Sequence, residues 1–167
     1  MRLFIAIRLA PELIASLTAL QAELRRQNLR GSYAPAENLH LTLAFLGELP
    51  DPAPVLEAME TVDFAPFPLA LEGVGSFGDL LWAGLGESEA LSACASRLRH
   101  ALAEAGLPYD RKRFTPHITL LRRAQPPLPP IPAPSPAEMI VERLSLMRSD
   151  RGKRGMIYTE LGSVWAK

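Results

Sequence analysis

Apolar side chains recur every three or four residues in two long stretches of the chain, which is the spacing of one face of an α-helix. The first stretch carries Leu13, Leu17, Leu20 and Leu24, and the second carries Leu91, Cys94 or Ala95, Leu98 and Leu102. Pro11 begins the first predicted helix and Gly31 ends it. Ser88 is the predicted N-cap of the second helix, which Gly106 closes. A shorter helix is predicted over 55–62.

Seven other stretches are rich in β-branched, aromatic or alternating apolar residues and predict strands. They span residues 3–9, 38–47, 67–74, 80–85, 114–121, 139–147 and 156–164. The last two are predicted to form a hairpin across the basic turn 149–155. Between residues 125 and 136 the chain contains seven prolines, which predict an extended surface connection.

The order of these predicted elements repeats itself. A strand, a helix, a glycine and a strand with histidine occur twice, and the two histidines, His40 and His117, lie 77 positions apart. The same offset places Leu3 over Leu80. Two similar units commonly pack about a pseudo-twofold axis. We therefore expect an internal duplication in which the equivalent strands face one another.

The composition narrows the class of protein. With 167 residues, 48% of them hydrophobic and 22% charged, the chain is expected to be globular, as one domain or two small lobes. Its formal net charge is zero, so bulk charge neither supports nor excludes RNA. The single cysteine, Cys94, rules out an internal disulfide and fits a reducing compartment. No apolar run is long enough to cross a bilayer, and Arg8 interrupts the first one too early for a signal peptide. We expect a cytoplasmic protein.

Both histidine strands carry threonine two residues after the histidine. They read His40-Leu41-Thr42-Leu43 and His117-Ile118-Thr119-Leu120. Alternate side chains of a strand point to the same face, so each strand is expected to present an imidazole and a hydroxyl together. Two hydrogen-bonded structural histidines are the alternative, but two copies in matched surroundings favour a functional pair. The third histidine, His100, lies off the apolar face of its helix and is interpreted as a solvated surface residue.

Two imidazoles suit acid–base chemistry at phosphorus. Their ordinary pKa lies near about 6.5, so one can accept a proton from water while the other donates one to a leaving oxygen. The hydroxyls of Thr42 and Thr119 can donate to phosphate oxygens. A zinc site is the competing interpretation, but no further ligands accompany the motifs. A Ser-His-Asp triad lacks its Gly-x-Ser-x-Gly turn. We therefore expect neither a metal nor another cofactor.

Further stretches match one family. They are Arg2-Leu3-Phe4-Ile5-Ala6-Ile7, Asn38 to Glu48, Phe77-Gly78, Leu81-Trp82-Ala83-Gly84, Phe114-Thr115-Pro116-His117 and the final hairpin through Tyr158. The paired His-x-Thr-x motifs resemble the signatures of the two-histidine phosphoesterase superfamily. With the flanking stretches, the chain is similar to the RNA 2′,3′-cyclic phosphodiesterase family, also named 2′-5′ RNA ligases, over nearly its whole length.

This resemblance implies an α+β fold of two pseudo-twofold-related lobes, with antiparallel sheets around a central cleft and helices outside, as a single domain over 1–167. It implies a hydrolase that opens terminal 2′,3′-cyclic phosphates of RNA or nucleotides to 2′-phosphates, and that can form 2′-5′ linkages in reverse. His40 would donate a proton to the leaving 3′ oxygen, and His117 would accept one from water. Thr42 and Thr119 would hold the phosphate.

Six other side chains are candidate substrate contacts. They are Arg113, Phe114, Arg122, Arg151, Arg154 and Tyr158. Each arginine is equally open to interpretation as a solvated surface charge. The chain departs from the family at Tyr33, where tryptophan is common, and at Ala44, where a lysine often follows the first motif. The second departure removes a charge that would help to hold an RNA backbone.

Two other functions stay open at this stage. A module that binds RNA ends or nucleotides without catalysis could use the same residues, and it would form no product. A related phosphodiesterase could act on another small cyclic phosphate, such as ADP-ribose 1″,2″-cyclic phosphate. A monomer is the default oligomeric state, and no membrane partner is expected.

Overall fold

The computed structural model describes residues 1–167. It contains three α-helices, α1 (Pro11–Arg26), α2 (Ala53–Glu60) and α3 (Glu89–Glu104). The strands are β1 (Arg2–Arg8), β2 (Ser32–Tyr33), β3 (His40–Glu48), β4 (Phe67–Phe77), β5 (Leu80–Leu85), β6 (Ile118–Arg122), β7 (Glu138–Val141), β8 (Arg143–Gly152) and β9 (Gly155–Trp165). None of the helices has the length and apolar content needed to span a membrane.

The strands form two antiparallel sheets, which confirms the α+β prediction. The first sheet has the order β3-β1-β8-β9, and the second has the order β2-β6-β5-β4-β7. His40 is the first residue of β3, whereas His117 directly precedes β6. The strand predicted over 114–121 therefore begins only at Ile118. Pro116 accounts for the late start, because proline has no N–H to donate to a sheet ladder.

The helix α1 follows a strand of the first sheet but packs against the second. Gln21, on its buried face, donates to the carbonyl oxygens of Ala34 and Leu120, each at 2.9 Å, and Leu120 belongs to β6. Leu24 of the same helix packs in a buried cluster with Leu121. These contacts satisfy a buried amide and fix the helix on the opposite lobe.

The helix α3 makes the reciprocal crossing. It follows β5 of the second sheet, yet the guanidinium of Arg99 donates to the carbonyl oxygen of Leu43 in β3 at 3.2 and 3.3 Å. One cluster of 31 buried apolar residues draws members from both sheets and all three helices. Burial of each leucine side chain in this cluster stabilises the fold by about 1.5–3 kcal/mol. The two lobes therefore share one core, which holds the two histidine strands in a fixed relation.

The single strand predicted over 139–147 is wrong, because two strands of different sheets occupy it. β7 pairs with β4 of the second sheet, whereas β8 pairs with β1 of the first. The chain crosses between the sheets at Glu142. Val141 and Leu144, three positions apart, are both fully buried in the shared core, so the apolar alternation changes phase at this crossing. The pattern indicates which residues are buried but not which sheet a strand joins.

Two element ends also differ from the prediction. The helix α1 ends at Arg26 and not at Gly31, because Asn28 takes the left-handed backbone conformation (φ +62°). The strand β4 continues beyond the predicted end at residue 74 to Phe77. Its pairing with β5 shifts register between Leu71 and Val74, where β4 has one extra residue and Gly73 has a φ of +75°.

The C-terminal hairpin is longer than predicted. Pairing of β8 with β9 extends to Gly152 and Gly155, so the turn contains only residues 153–154 instead of 149–155. Backbone pairing between β8 and β9 places these residues in strands, although their polar composition is typical of a turn. The predicted cap of α3 is confirmed, since the hydroxyl of Ser88 accepts a 3.0 Å hydrogen bond from the backbone N–H of Leu91.

Candidate active site

Each of the two motif histidines is anchored through Nδ1 to the main-chain carbonyl two residues before it. His40 Nδ1 lies 2.6 Å from the carbonyl oxygen of Asn38, and His117 Nδ1 lies 2.7 Å from that of Thr115. A carbonyl oxygen only accepts hydrogen bonds, so Nδ1 carries the proton in both rings. Nε2 is thereby the nitrogen that each ring has available for proton transfer.

The hydroxyl of Thr42 lies 2.8 Å from Nε2 of His40. When His40 is neutral, this hydroxyl donates to Nε2, and when His40 is protonated, Nε2–H donates to the hydroxyl oxygen. The two side chains share one face of β3, as their spacing predicts. In the second motif, Thr119 also stands two residues after the histidine.

Aromatic side chains surround the His40 imidazole. Its ring centroid lies 5.0 Å from that of Phe4 and 5.3 Å from that of Tyr158. Burial lowers the pKa of His40, because the imidazolium loses hydration. The charges of Arg122 and His117 lower this pKa further, while the carbonyl that accepts from Nδ1 acts in the opposite direction. The unliganded site therefore favours neutral His40.

Aromatic side chains also flank His117. Its ring centroid lies 5.1 Å from that of Phe77, in an edge-on arrangement, and 6.3 Å from that of Trp82. Both aromatic residues come from the second sheet, Phe77 from the end of β4 and Trp82 from β5. Each imidazole is thus supported by aromatic rings of its own lobe.

A pocket of about 570 Å³ opens beside His40, between the β8–β9 hairpin of the first sheet and β2 and β6 of the second. Six of the predicted site residues line it: His40, Thr119, Arg122, Arg151, Arg154 and Tyr158. Its lining includes four arginines and no carboxylate, so the pocket carries a positive potential. We call it the arginine pocket. Thr42 and His117 are not among its lining residues. Thr42 lies two residues after His40 on β3, and His117 lies two residues before Thr119.

Two of the predicted substrate contacts, Arg113 and Phe114, lie elsewhere. They line a separate pocket of about 550 Å³ against α3, together with Arg99. The Arg99 guanidinium lies 5.5 Å from the Phe114 ring and donates to the carbonyl oxygen of Lys112 at 2.7 Å. The segment before the second motif therefore folds onto α3 and not into the arginine pocket.

Arg123 lines the arginine pocket, although sequence reasoning does not select it. In a regular strand it would point away from the face of its neighbour Arg122. Its backbone, however, is left-handed (φ +56°) just after the end of β6. That turn brings two consecutive arginines to the same pocket. The available signal in the sequence is the doubled arginine after the second motif.

The arrangement combines two anchored imidazoles, two hydroxyls and a cluster of guanidinium groups. Imidazoles exchange protons near neutral pH, and guanidinium groups bind phosphate oxygens in a forked geometry. No three His, Cys, Asp or Glu side chains are grouped so that they could hold a metal ion. The side chains present are therefore those that acid–base chemistry on a phosphate ester requires.

Comparisons with known proteins agree with this chemistry. A family model described as the 2′-5′ RNA ligase superfamily matches residues 9–153. The RNA 2′,3′-cyclic phosphodiesterase of Thermus thermophilus is 35% identical, over 96% of this chain and 88% of its own length. The protein of the same name from Geobacillus stearothermophilus is 35% identical over 73% of this chain, and this match spans 42% of the Geobacillus protein.

The fold is also shared with a solved structure. Escherichia coli LigT, crystallised in complex with 3′-AMP, matches with a TM-score of 0.86 and 30% sequence identity. The match covers 99% of this chain and 96% of the LigT chain. It therefore includes both sheets and the cleft between them.

Proposed function

Since this chain belongs to the 2′-5′ RNA ligase superfamily, we propose that it is a hydrolase that opens the 2′,3′-cyclic phosphate at an RNA end to a 2′-phosphate. The observation that carries the proposal is the matched anchoring of His40 and His117 by the carbonyl two residues before each. This anchoring leaves Nε2 as the proton-transfer nitrogen of each ring, and the Thr42 hydroxyl lies 2.8 Å from that of His40. The adjacent arginine pocket suits a polyanion.

Hydrolysis of the cyclic ester needs one proton acceptor and one proton donor. The oxygen of a water molecule attacks phosphorus while Nε2 of neutral His117 takes the proton of that water. The bond from phosphorus to O3′ breaks, and Nε2 of protonated His40 gives its proton to O3′. The hydroxyls of Thr42 and Thr119 stabilise the negative charge that develops on the non-bridging oxygens. The products are a 2′-phosphate and a 3′-hydroxyl.

These roles require His40 to be protonated when the substrate is bound. The free protein favours neutral His40 because burial and the charge of Arg122 lower its pKa. An anionic phosphate placed beside the ring stabilises the imidazolium and offsets the charge of Arg122. Substrate binding is therefore expected to raise the pKa of His40 and to be accompanied by proton uptake.

The arginine pocket favours an RNA end over an isolated mononucleotide. Arg122 and Arg123 follow β6, and Arg151 and Arg154 lie at the tip of the β8–β9 hairpin. Several guanidinium groups in one pocket can engage successive phosphates, and each such contact adds salt-dependent affinity. Attack on the same phosphorus by the 5′-hydroxyl of a second RNA in place of water, with the same loss of the bond to O3′, would form a 2′-5′ linkage.

We also propose that residues 1–167 act as one domain of two lobes that arose by internal duplication. The matching order of neighbouring strands, β3-β1-β8 and β6-β5-β4, supports this proposal.

The proposed chemistry uses residues of a single chain, so we expect a monomer. The buried free thiol of Cys94 is compatible with the reducing cytoplasm.

Phosphorus NMR tests the proposed reaction. The substrates are 2′,3′-cyclic AMP and a short RNA with a 2′,3′-cyclic phosphate end, each incubated with the protein and EDTA. We expect the cyclic-phosphate resonance to be replaced by that of a 2′-phosphate. Saturable binding without product would reject the proposal in favour of a non-catalytic module. Turnover only of another cyclic phosphate, such as ADP-ribose 1″,2″-cyclic phosphate, would reject RNA as the substrate.

A further inference from the structure

Phe77 presents an exposed aromatic ring beside His117. Its side chain is 46% exposed, whereas the other five phenylalanines of the chain are buried or half-buried. Its ring centroid lies 5.1 Å from that of His117 and 5.3 Å from that of Trp82. An aromatic ring that is open to solvent next to a proton-transfer residue is well placed to contact a ring of the substrate.

The strands around Trp82 leave room for its indole. A Cβ at Gly75 would lie 2.3 Å from Cζ2 of Trp82, whereas a Cβ at Gly84 would first meet the backbone oxygen of Glu72 at 2.5 Å. Glycine weakens a strand interior and often marks a close approach, so Gly75 indicates a constrained placement of the indole against β4. Trp82 Nε1 is also the buried side-chain donor that lacks a hydrogen-bond partner, which is rare in folded proteins.

The arginine pocket and the ring of Phe77 are separate surfaces near the second motif. On the side of Thr119, four arginines line the arginine pocket, which suits phosphate groups. Phe77 and Trp82 are not among the residues that line this pocket. Phosphates are therefore expected in the pocket, and Phe77 offers an apolar ring outside it.

We propose that Phe77 and Trp82 form a stacking surface for the base of the terminal nucleotide, whose cyclic phosphate is held between His40 and His117. This inference rests on the proposed function and specifies how its substrate lies. The base stacks on the exposed ring of Phe77, and the phosphates of the preceding nucleotides run into the arginine pocket. Stacking tolerates every base because each has an aromatic face, and it is stronger for the larger purines.

Steady-state kinetics with three substrates test the stacking surface. They are 2′,3′-cyclic AMP, 2′,3′-cyclic UMP and the methyl riboside 2′,3′-cyclic phosphate, which carries the same ester without a base. In Phe77→Ala we expect the ratio of kcat/KM for cyclic AMP to that for the base-free ester to fall about tenfold. The corresponding ratio for cyclic UMP is expected to fall less.

Two matched variants separate stacking from packing. Phe77→Leu keeps apolar contact with Trp82 but has no aromatic face, so we expect it to lose the preference for substrates with a base. Phe77→Trp is expected to keep that preference. An equal loss on all three substrates in Phe77→Ala would overturn the inference, because it would show that Phe77 only supports His117. Unchanged ratios would overturn it as well.

A binding measurement distinguishes failure of this inference from failure of the proposed function. The chain has two tryptophans, so Trp165→Phe leaves Trp82 as the fluorescent reporter. We expect 2′-AMP to quench its fluorescence and inorganic phosphate to leave it unchanged. Quenching without turnover of any cyclic phosphate would retain the stacking surface and reject hydrolysis. Turnover with equal responses to 2′-AMP and phosphate would reject the stacking surface alone.

Discussion

The side-chain amide of Asn38 donates a hydrogen bond of 2.9 Å to the main-chain carbonyl oxygen of Met156, near the start of β9. The main-chain carbonyl of the same Asn38 accepts the hydrogen bond from Nδ1 of His40. One residue thus connects the imidazole to the hairpin that supplies Arg151 and Arg154 to the arginine pocket. In the proposed mechanism, Asn38 therefore lies between the residue that transfers a proton and the hairpin that binds phosphate.

Asn38→Ala removes the side-chain donor to the hairpin and keeps the carbonyl that holds His40. The lost hydrogen bond corresponds to about 0.5–1.5 kcal/mol. We therefore expect KM for a short RNA substrate to rise about threefold to tenfold with kcat nearly unchanged, measured by initial rates. Gln27→Ala, at another amide on the surface, is the matched control. A fall in kcat at constant KM would show that the side chain acts on His40 and not on the hairpin.

His40→Ala and His117→Ala are each expected to lower kcat by about 10²–10⁴, because each removes one partner of the proton transfer. His100→Ala is the matched control, since its side chain is 76% exposed and lies 3.8 Å from Glu104 on α3. Thermal unfolding followed by circular dichroism checks that the variants fold. Full activity in either motif variant would reject the two-histidine mechanism.

The pH dependence of the reaction tests the role of His40. As the donor, His40 must be protonated, and its pKa in the free protein is lowered from the ordinary value of 6.5. The value of kcat/KM reports the free enzyme and is expected to fall as pH rises through this lowered pKa. The value of kcat reports the complex, in which bound phosphate raises the pKa of His40, so its fall is expected at higher pH.

The residual activity of His40→Ala completes this test. We expect the variant to lose the alkaline fall in kcat/KM, because the group that titrates there is gone. If His40 instead accepts the proton, its protonation at low pH produces an acidic fall, and the variant would lose that limb. Pre-steady-state proton uptake on binding 2′-AMP, followed with a pH indicator, provides an independent measurement.

Arg151→Ala and Arg154→Ala test the path of the RNA phosphates. Each is expected to raise KM for a short RNA more than KM for 2′,3′-cyclic AMP, and to reduce the slope of log affinity against log salt by about 0.7. Arg97→Ala, on the exposed face of α3, serves as the control. Arg97 donates to the carbonyl oxygen of Asp63 and does not line the arginine pocket. Salt slopes equal to that of the control would show that the hairpin arginines do not contact phosphate.

Cys94 is expected to be chemically inert in the folded protein. It is 1% exposed, and burial raises the pKa of its thiol to about 11, so almost no thiolate forms near neutral pH. Ellman's reagent at pH 8 should react with one thiol per chain in guanidinium chloride and with almost none under native conditions. Rapid reaction of the native protein would mean that α3 opens often enough to expose the Cys94 thiol to the reagent.

Local sequence patterns predicted the elements whose signals lie within a few residues. The strand over Leu80–Leu85 and the capped helix that follows it agree closely with the structure, because alternation and N-capping are local. The division of 139–147 between β7 and β8 shows in the sequence only as a change of phase in the alternation between Val141 and Leu144, which are three positions apart. Which sheet each half joins depends on pairing between distant residues, and no local pattern specifies it.

The candidate site shows the same limit. The spacing of His40 and Thr42 predicted a shared face, and the structure places Thr42 within hydrogen-bond distance of Nε2. Spacing did not predict that Arg123 turns into the arginine pocket, because that needs a left-handed residue after β6. It also did not predict that Arg113 packs against α3, which depends on Arg99 holding the preceding loop.

The sequence by itself determined the paired histidine and threonine motifs, because these follow from residue identity and spacing, and the resemblance that these motifs and the flanking stretches carry indicated the family and the α+β class. Only the tertiary structure decided that α1 and α3 cross to the opposite lobes and that arginines from β6 and the hairpin share one pocket. It also decided that an exposed Phe77 stands beside His117. The physical reason is that these relations depend on contacts between residues distant in the chain, which share no periodicity for the sequence to display.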